Sequence, residues 1–260
     1  MSDNLNLLEI EKHLKSNFFD ITILPKTDST NTFLKQAAFD GAQEGTTIIA
    51  LEQSAGKGRM SRKFFSPKGG IYMSFLLRPN GNLFDATLVT TAAAVAVCEA
   101  IEKHTDKKPQ IKWVNDVFID NKKVCGILTE TAINTNSNSF EYIIVGIGVN
   151  LYPPENGFDK EIENIAGAVL ENEIENLKSK LVAEILNSFY NYYTCLADKK
   201  HYAPYKERLF VLGKEVEIIN GNETQNATVL DLNNNFHLKV LLQNNTEKEL
   251  FSGEISLKLK

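Results

Sequence analysis

The chain has 260 residues, 43% of them hydrophobic, with a formal charge of −5 and a pI near 5.5. That length holds one large domain or two smaller ones, each with a buried core, and the acidic balance argues against a dedicated nucleic-acid binder while leaving room for a local basic patch. Cys98, Cys125 and Cys195 lie far apart, and His13, His104, His201 and His237 share no ligand spacing, which speaks for reduced thiols in a cytoplasmic protein and against a zinc site.

The N-terminus shows no basic stretch followed by an apolar one, so no signal peptide is read there. Residues 1–20 read as a short amphipathic helix with Leu7, Leu8, Ile10 and Leu14 on one side, and residues 21–24 as a strand. Asp28-Ser29-Thr30 offers capping side chains for a helix carrying Phe33, Leu34, Ala37 and Ala38, with Gly41 as its stop. Apolar runs at 47–51 and 71–77 read as strands. Between them hangs a loop that sets Gly56, Gly58, Gly69 and Gly70 among Lys57, Arg59, Arg62, Lys63 and Lys68. Glycine lets backbone approach a ligand closely, and the cations offer donors to carboxylate or phosphate. The loop is neither a Walker A sequence nor a dinucleotide fingerprint, since G-x-G-x-x-G is broken at Ser61. A solvated hairpin tip and a nucleic-acid contact are its other readings.

The segment 85–104 reads as a buried core helix, too short and too rich in Ala and Thr for a membrane span. Strands follow at 110–113, 117–120 and 124–131, with a turn at 121–122. Another covers 140–149, an almost continuous apolar run of the kind found deep in a sheet. A loop at 152–157 precedes a weak helical pattern at 161–170 and a stronger one at 176–196. Beyond Gly213 short β-like segments at 215–219, 227–232, 236–242, 248–251 and 255–257 alternate with Asn-rich turns at 220–222, 233–235 and 244–245. That is the pattern of a small all-β barrel. Two domains are expected, 1–204 and 205–260.

Several short constellations carry chemistry. In Lys112-Trp113-Val114-Asn115-Asp116 the last two residues either close a turn or hold Mg²⁺ and the phosphates it bridges. Lys123 precedes a strand interrupted by Gly126, a glycine that implies close approach of a ligand or a second backbone. Gly146, Gly148 and Asn150 end the next strand, where tight sheet packing explains the glycines equally well.

Taken in order, Asp28-Ser-Thr-Asn31, Gln53-Ser-Ala-Gly-Lys-Gly-Arg59, Lys112-Trp-Val-Asn-Asp116, Lys123-Val-Cys-Gly-Ile-Leu128 and Gly146-Ile-Gly-Val-Asn150 resemble the catalytic domain of the biotin–protein ligases (biotin–[acetyl-CoA-carboxylase] ligases), and Phe251-Ser-Gly-Glu-Ile-Ser-Leu257 resembles the end of that family's small barrel. The resemblance implies an α+β fold, with a mixed β-sheet and helices like those of class II aminoacyl-tRNA synthetases, plus a C-terminal SH3-like β-barrel. It implies an enzyme that takes biotin, ATP and Mg²⁺ as substrates and ligands, with no prosthetic group. Biotinyl-5′-AMP forms, and the biotinyl group passes to a lysine of a biotin carboxyl carrier protein domain. By the same resemblance Ser29, Thr30, Asn31 and Gln53 surround the ureido head, while Gly56, Lys57, Gly58 and Arg59 close over the carboxyl group and adenylate. Lys123 contacts the reacting oxygens, with Lys57 and Arg59 beside it. Gly126 and Leu128 wall the biotin pocket. Arg62, Trp113, Asn115, Asp116 and Asn150 form the nucleotide end, with Asp116 the Mg²⁺ ligand.

The chain departs from the family pattern at Lys57 (usually Arg), Ser61 (usually Gly), Phe64 (usually Trp) and Val114 (usually Pro). Lys57 keeps the charge without the bidentate fork, and Met60 and Ser61 stiffen the loop. With catalytic motifs starting near residue 28, the expectation is a monofunctional ligase without a helix-turn-helix. Neither sequence-specific DNA binding nor membrane association is expected, and the family's edge-strand pairing leaves a homodimer open. Two rivals are a lipoate–protein ligase or octanoyltransferase of the same superfamily and a non-catalytic nucleic-acid-binding protein.

Overall fold

The computed structural model describes residues 5–79, 86–134, 139–220, 223–251 and 254–257. Strands β1 (Asp20–Leu24), β2 (Thr46–Ala50), β3 (Ile71–Leu77), β4 (Gln110–Lys112), β5 (Asp116–Ile119), β6 (Lys122–Asn134) and β7 (Ser139–Val149) form a mixed sheet. Its order is β1-β2-β3-β7-β6-β5-β4. The β1–β2 pair is parallel and the other pairings are antiparallel. A parallel pair needs a crossover, and helix α2 (Thr30–Phe39) supplies it.

The apolar runs of β3 and β7 follow from their central position, where most of both faces is covered. On one face Met73, Phe75, Val145 and Ile147 join helices α3 (Ala86–His104) and α4 (Leu177–Tyr193) in the main core. On the other, Leu34 and Ala38 of α2 pack on Ile48, Leu76 and Ile144. The threonines of α3 tolerate burial because Thr90 and Thr91 donate to the Ala86 and Thr87 carbonyls at 2.9 and 2.8 Å. No described helix is long and apolar enough to cross a membrane.

Helix α1 (Leu7–His13) is shorter than its expected span. Ile10 is fully buried, but Leu8 is 75% exposed, because the residue after Leu7 points a quarter-turn away from the core. The helix expected at 161–170 does not form: its backbone bonds the sheet instead, Lys123 N–H to the Ile165 carbonyl (2.8 Å) and Val169 N–H to the Asn150 carbonyl (2.9 Å). Weak propensity loses to tertiary pairing here. Conversely α5 (Tyr202–Arg208) was not expected. Pro204 sits in its first turn, where a missing N–H costs nothing, and Arg208 grips Glu102 of α3 through two bonds of 2.9 and 2.7 Å. The division expected at 204/205 therefore falls inside a helix.

The C-terminal strands β8 (Glu215–Asn220), β9 (Glu223–Leu232), β10 (Leu238–Leu242), β11 (Glu247–Leu250) and β12 (Glu254–Leu257) make an antiparallel sheet in the order β11-β10-β9-β8-β12. Gly221, Asn222, Ser252 and Gly253, which belong to the turn and motif read from the sequence, lie outside the described residues. The turn before β10 drives Phe236, fully buried with φ of 60°, against His201, Tyr202 and Tyr205. The Phe236 carbonyl accepts the Trp113 indole N–H at 2.9 Å, and the Tyr205 hydroxyl donates to the Val114 carbonyl at 3.1 Å. The C-terminal sheet thus holds the strand-end that carries Asn115 and Asp116.

His201 sits fully buried at this junction, its ring stacked on Phe236 at 4.6 Å and its Nε2 3.1 Å from Thr91 Oγ1. Burial pushes the imidazole down from its ordinary 6.5 to about 4. In the window between those values the unfolded chain holds a proton that the folded one refuses. Stability is therefore level above pH 6.5 and falls as pH drops toward 4. We expect urea unfolding to show a loss of about 2–3 kcal/mol from this group by mildly acidic pH, and His201→Phe to flatten that part of the profile. An equally steep profile in His201→Phe would assign the loss to other groups.

Candidate active site

The site lies on the face of the sheet that α2 only half covers. Strand register aligns Tyr72, Gly148, Gly126 and Asp116 in one row across β3, β7, β6 and β5. The next row holds Ser74, Gly146 and Leu128. Glycine removes the side chains that would otherwise fill this strip, and other side chains of the protein take the space. A Cβ at Gly148 would overlap the Phe64 ring, and one at Gly126 would stand 3.1 Å from it and 3.4 Å from Lys123 Nζ. A Cβ at Gly146 would overlap Asn31 Oδ1. The close approach inferred at Gly126 is thus made by side chains of the chain itself.

The basic loop folds over this floor. Phe64 N–H returns to the Gly56 carbonyl (2.8 Å) and Gly58 N–H to the Arg62 carbonyl (2.7 Å). At the tip Met60 and Ser61 take φ of 54° and 61°, left-handed values that cost a non-glycine residue about 1–2 kcal/mol. The Gly usual in the resembling family at position 61 would avoid that cost. Arg59 reaches across the cleft and donates from Nη1 to Asn115 Oδ1 at 2.9 Å.

At one end, the start of α2 presents Ser29, Thr30 and Asn31, all nearly buried. Ser29 makes no side-chain cap bond; Gln53 Oε1 instead accepts the first-turn Thr30 N–H at 2.8 Å. Gln53 Nε2 is held by Ser66 Oγ at 2.8 Å. At the other end Lys123 Nζ pairs with Asp116 Oδ1 at 2.7 Å, each about three-quarters buried. Asn115 donates from Nδ2 to Asp116 Oδ1 (3.2 Å) and to the Ile127 carbonyl (2.9 Å). Asn150 fixes the neighbouring loop by donating to the Gly167 carbonyl at 3.1 Å. The Trp113–Val114 peptide leading into Asn115 is cis.

One cleft of about 260 Å³ is lined by Ser29, Thr30, Asn31, Gln53, Lys57, Gly58, Arg59, Arg62, Trp113, Asn115, Asp116, Lys123, Gly126, Leu128 and Asn150. Every residue that the family resemblance assigns to the site is there except Gly56. That glycine lies beneath the loop, packed against the Phe64 carbonyl and Ser66 Oγ. The cleft also has walls that sequence reading missed: Phe65, Phe158, Ile162, Ile165 and Ala166. The last four belong to the segment tied to β6 by the Lys123–Ala166 bridge, and only tertiary pairing brings them there.

The cleft is thus polar at one end and cationic at the other, and it lies on a mixed sheet backed by helices. Residues 23–150, just under half of the chain, match the biotin/lipoate A/B protein ligase family. Among its relatives it is 37% identical over 163 residues to the bifunctional ligase/repressor BirA of Bacillus subtilis, covering 62% of this chain and 50% of that protein. It is 35% identical over 131 residues to the biotin–[acetyl-CoA-carboxylase] ligase of Paracoccus denitrificans, covering 50% of this chain and 53% of that protein. The chain thus spans about half the length of these two relatives. The biotin protein ligase of Aquifex aeolicus, solved in complex with biotin and ATP, superposes with a TM-score of 0.74 at 28% identity, covering 93% of this chain and 99% of that one.

The glycine strip makes a direct prediction. Gly148→Ala should force the Phe64 ring off its seat and cost about 1–3 kcal/mol, and most of that cost should vanish in a Phe64→Ala background. A double-mutant cycle by urea unfolding measures it; additive costs would mean the two positions do not share this contact.

Proposed function

We propose that the cleft makes biotinyl-5′-adenylate from biotin and MgATP and passes the biotinyl group to a lysine of a biotin carboxyl carrier domain. The observation that carries this reading is the pairing of two ends in one cleft. Ser29, Thr30, Asn31 and Gln53 stand at one, Lys123, Arg59 and Asp116 at the other, and a relative of like fold is known with biotin and ATP bound.

In this reading the ureido head enters beside α2 and the valeryl chain lies between Phe64 and Leu128. The carboxylate then reaches Lys123. Its oxygen attacks the α-phosphorus, the bond to the β-phosphate oxygen breaks, and pyrophosphate leaves. The carrier amine next attacks the biotinyl carbonyl, AMP departs with the bonding pair, and the amine loses a proton. Negative charge gathers on the carboxyl and phosphoryl oxygens in the first step, and the cations of Lys123, Arg59 and Lys57 are the groups suited to it. No protein nucleophile is needed.

Mg²⁺ is held in many nucleotide sites by one or two carboxylates plus the phosphates themselves. Asp116, a wall carboxylate whose other near partners are Lys123 and Asn115, fits that donor set. When bound the ion supplies charge to the leaving pyrophosphate. Arg62, Trp113 and Asn150 flank the space left for the nucleotide. Gly126 and Gly58 keep the backbone low on both sides, and Gly56 seats the loop. The C-terminal strands form an SH3-like barrel that steadies the catalytic domain through the Phe236–Trp113 bond, while Tyr205 of α5 holds Val114. A cytoplasmic setting suits the free thiols of Cys98, Cys125 and Cys195.

The test is ATP–pyrophosphate exchange with and without biotin. We expect exchange only with biotin, and none with lipoate or octanoate; biotin-independent exchange would overturn the substrate. Lys123→Ala should slow single-turnover adenylate formation by about 10²–10³-fold, and an unchanged rate would remove Lys123 from the chemistry. Arg59→Gly should form the adenylate but lose it faster, since the guanidinium that reaches across the cleft to pair with the phosphate is then gone. Equal adenylate dissociation rates in mutant and parent would pass the latch role to Lys57 or Arg62.

A further inference from the structure

Behind the head end of the cleft, Asn31 is held in a frame that the proposed reaction does not itself require. Its carboxamide stands over Gly146, in the space a Cβ there would fill. Its Nδ2 is 2.8 Å from Glu130 Oε2 and 3.4 Å from the Leu128 carbonyl. Ser74 Oγ donates to its Oδ1 at 2.6 Å, and the Thr30 hydroxyl stands 2.6 Å from Ser74 Oγ. A carboxylate and a main-chain carbonyl carry no proton, so the atom facing both must be the NH₂ group. Both of its hydrogens are thereby spoken for. What Asn31 still has to offer is a lone pair on Oδ1, an acceptor.

Serine cannot enforce this orientation, because a hydroxyl accepts as readily as it donates. The Leu128 carbonyl is at the long limit of a hydrogen bond. The charged contact to Glu130 is the short, one-way one. Glu130 stands one pleat beyond Leu128 on β6, on the cleft face of the sheet, paired in register with Ile144 rather than with either glycine of β7.

We propose that Glu130 is a positioning residue that locks the Asn31 carboxamide with its oxygen available, so that the head end selects a ligand presenting a ring N–H, as a cyclic urea does. This rests on the reading of the cleft as a biotin site and names the group that sets its head-end selectivity. Without Glu130 the amide is free to rotate by half a turn, Nδ2 then meeting Ser74 Oγ and the ligand N–H facing another N–H. Glu130→Gln should act in the same direction but less strongly, because glutamine can still turn its own oxygen toward Nδ2.

The experiment measures biotin-dependent ATP–pyrophosphate exchange in the parent, Glu130→Gln and Glu130→Ala. We expect the KM for biotin to rise about 10-fold or more in Glu130→Ala, the range set by one hydrogen bond to a charged partner, and by less in Glu130→Gln. The KM for ATP and kcat should stay within about twofold. Competition by an analogue with oxygen replacing the ring N–H, weak against the parent, should be no weaker against Glu130→Ala. An unchanged KM for biotin in Glu130→Ala would overturn the proposal. So would equal losses toward biotin and ATP, the mark of a general structural role. Failure of the parent to exchange with biotin at all would instead refute the reading of the cleft.

Discussion

The site depends on one steric constraint: a strip of sheet without side chains. Gly126, Gly146 and Gly148 fall on the same face of β6 and β7, where antiparallel register sets Gly126 beside Gly148 and Gly146 beside Leu128. Strand interiors pay for glycine in stability, so the strip needs a use, and the structure shows it. Phe64 beds on two of the glycines and Asn31 on the third. Had the strands slipped by one residue, the same glycines would face α3 and the cleft would be filled by Ile127 and Ile147. The depth of the cleft, the seat of the loop and the orientation of Asn31 all follow from that register.

Charge is arranged on the same plan. Lys123 leaves the start of β6 and meets Asp116 from the adjacent strand, in the row that contains Gly126 and Gly148. Arg59 arrives from the opposite side and is caught by Asn115. Two cations and one carboxylate are thus held by strand ends and short bonds rather than by long free arms. In a partly desolvated cleft, such preorganised charge is worth far more than the same groups in water. The C-terminal part and helix α5 extend this rigidity, since the segment bearing Asn115 and Asp116 is bonded to Phe236 through Trp113 and to Tyr205 through Val114.

Much of this was legible in the chain. Periodicity located the strands of the main sheet, because β3 and β7 are buried on both faces and read as continuous apolar runs. The site residues were legible because their chemistry is unusual for their places: glycines inside strands, an amide and a carboxylate at a strand end, cations among glycines. What was not legible depends on partners far along the chain. Residues 161–170 look weakly helical, yet their backbone pairs with Lys123 and Asn150. Helix α5 hides behind Pro204. Glu130 looks like any polar residue of a long strand, and its contact with Asn31, 99 positions away, appears only once the sheet is built. Gly56 read as part of the pocket because of its neighbours, whereas its backbone turns beneath the loop.

In the proposed reaction this cleft activates one carboxylic acid and delivers it to one kind of amine. The most direct measurement is mass spectrometry of a biotin carboxyl carrier domain after incubation with the protein, MgATP and an equimolar mixture of biotin, lipoate and octanoate. A single biotinyl group on a single lysine, with no lipoyl or octanoyl product, is the expected result. A carrier left unmodified, or one bearing lipoyl or octanoyl in place of biotinyl, would contradict it.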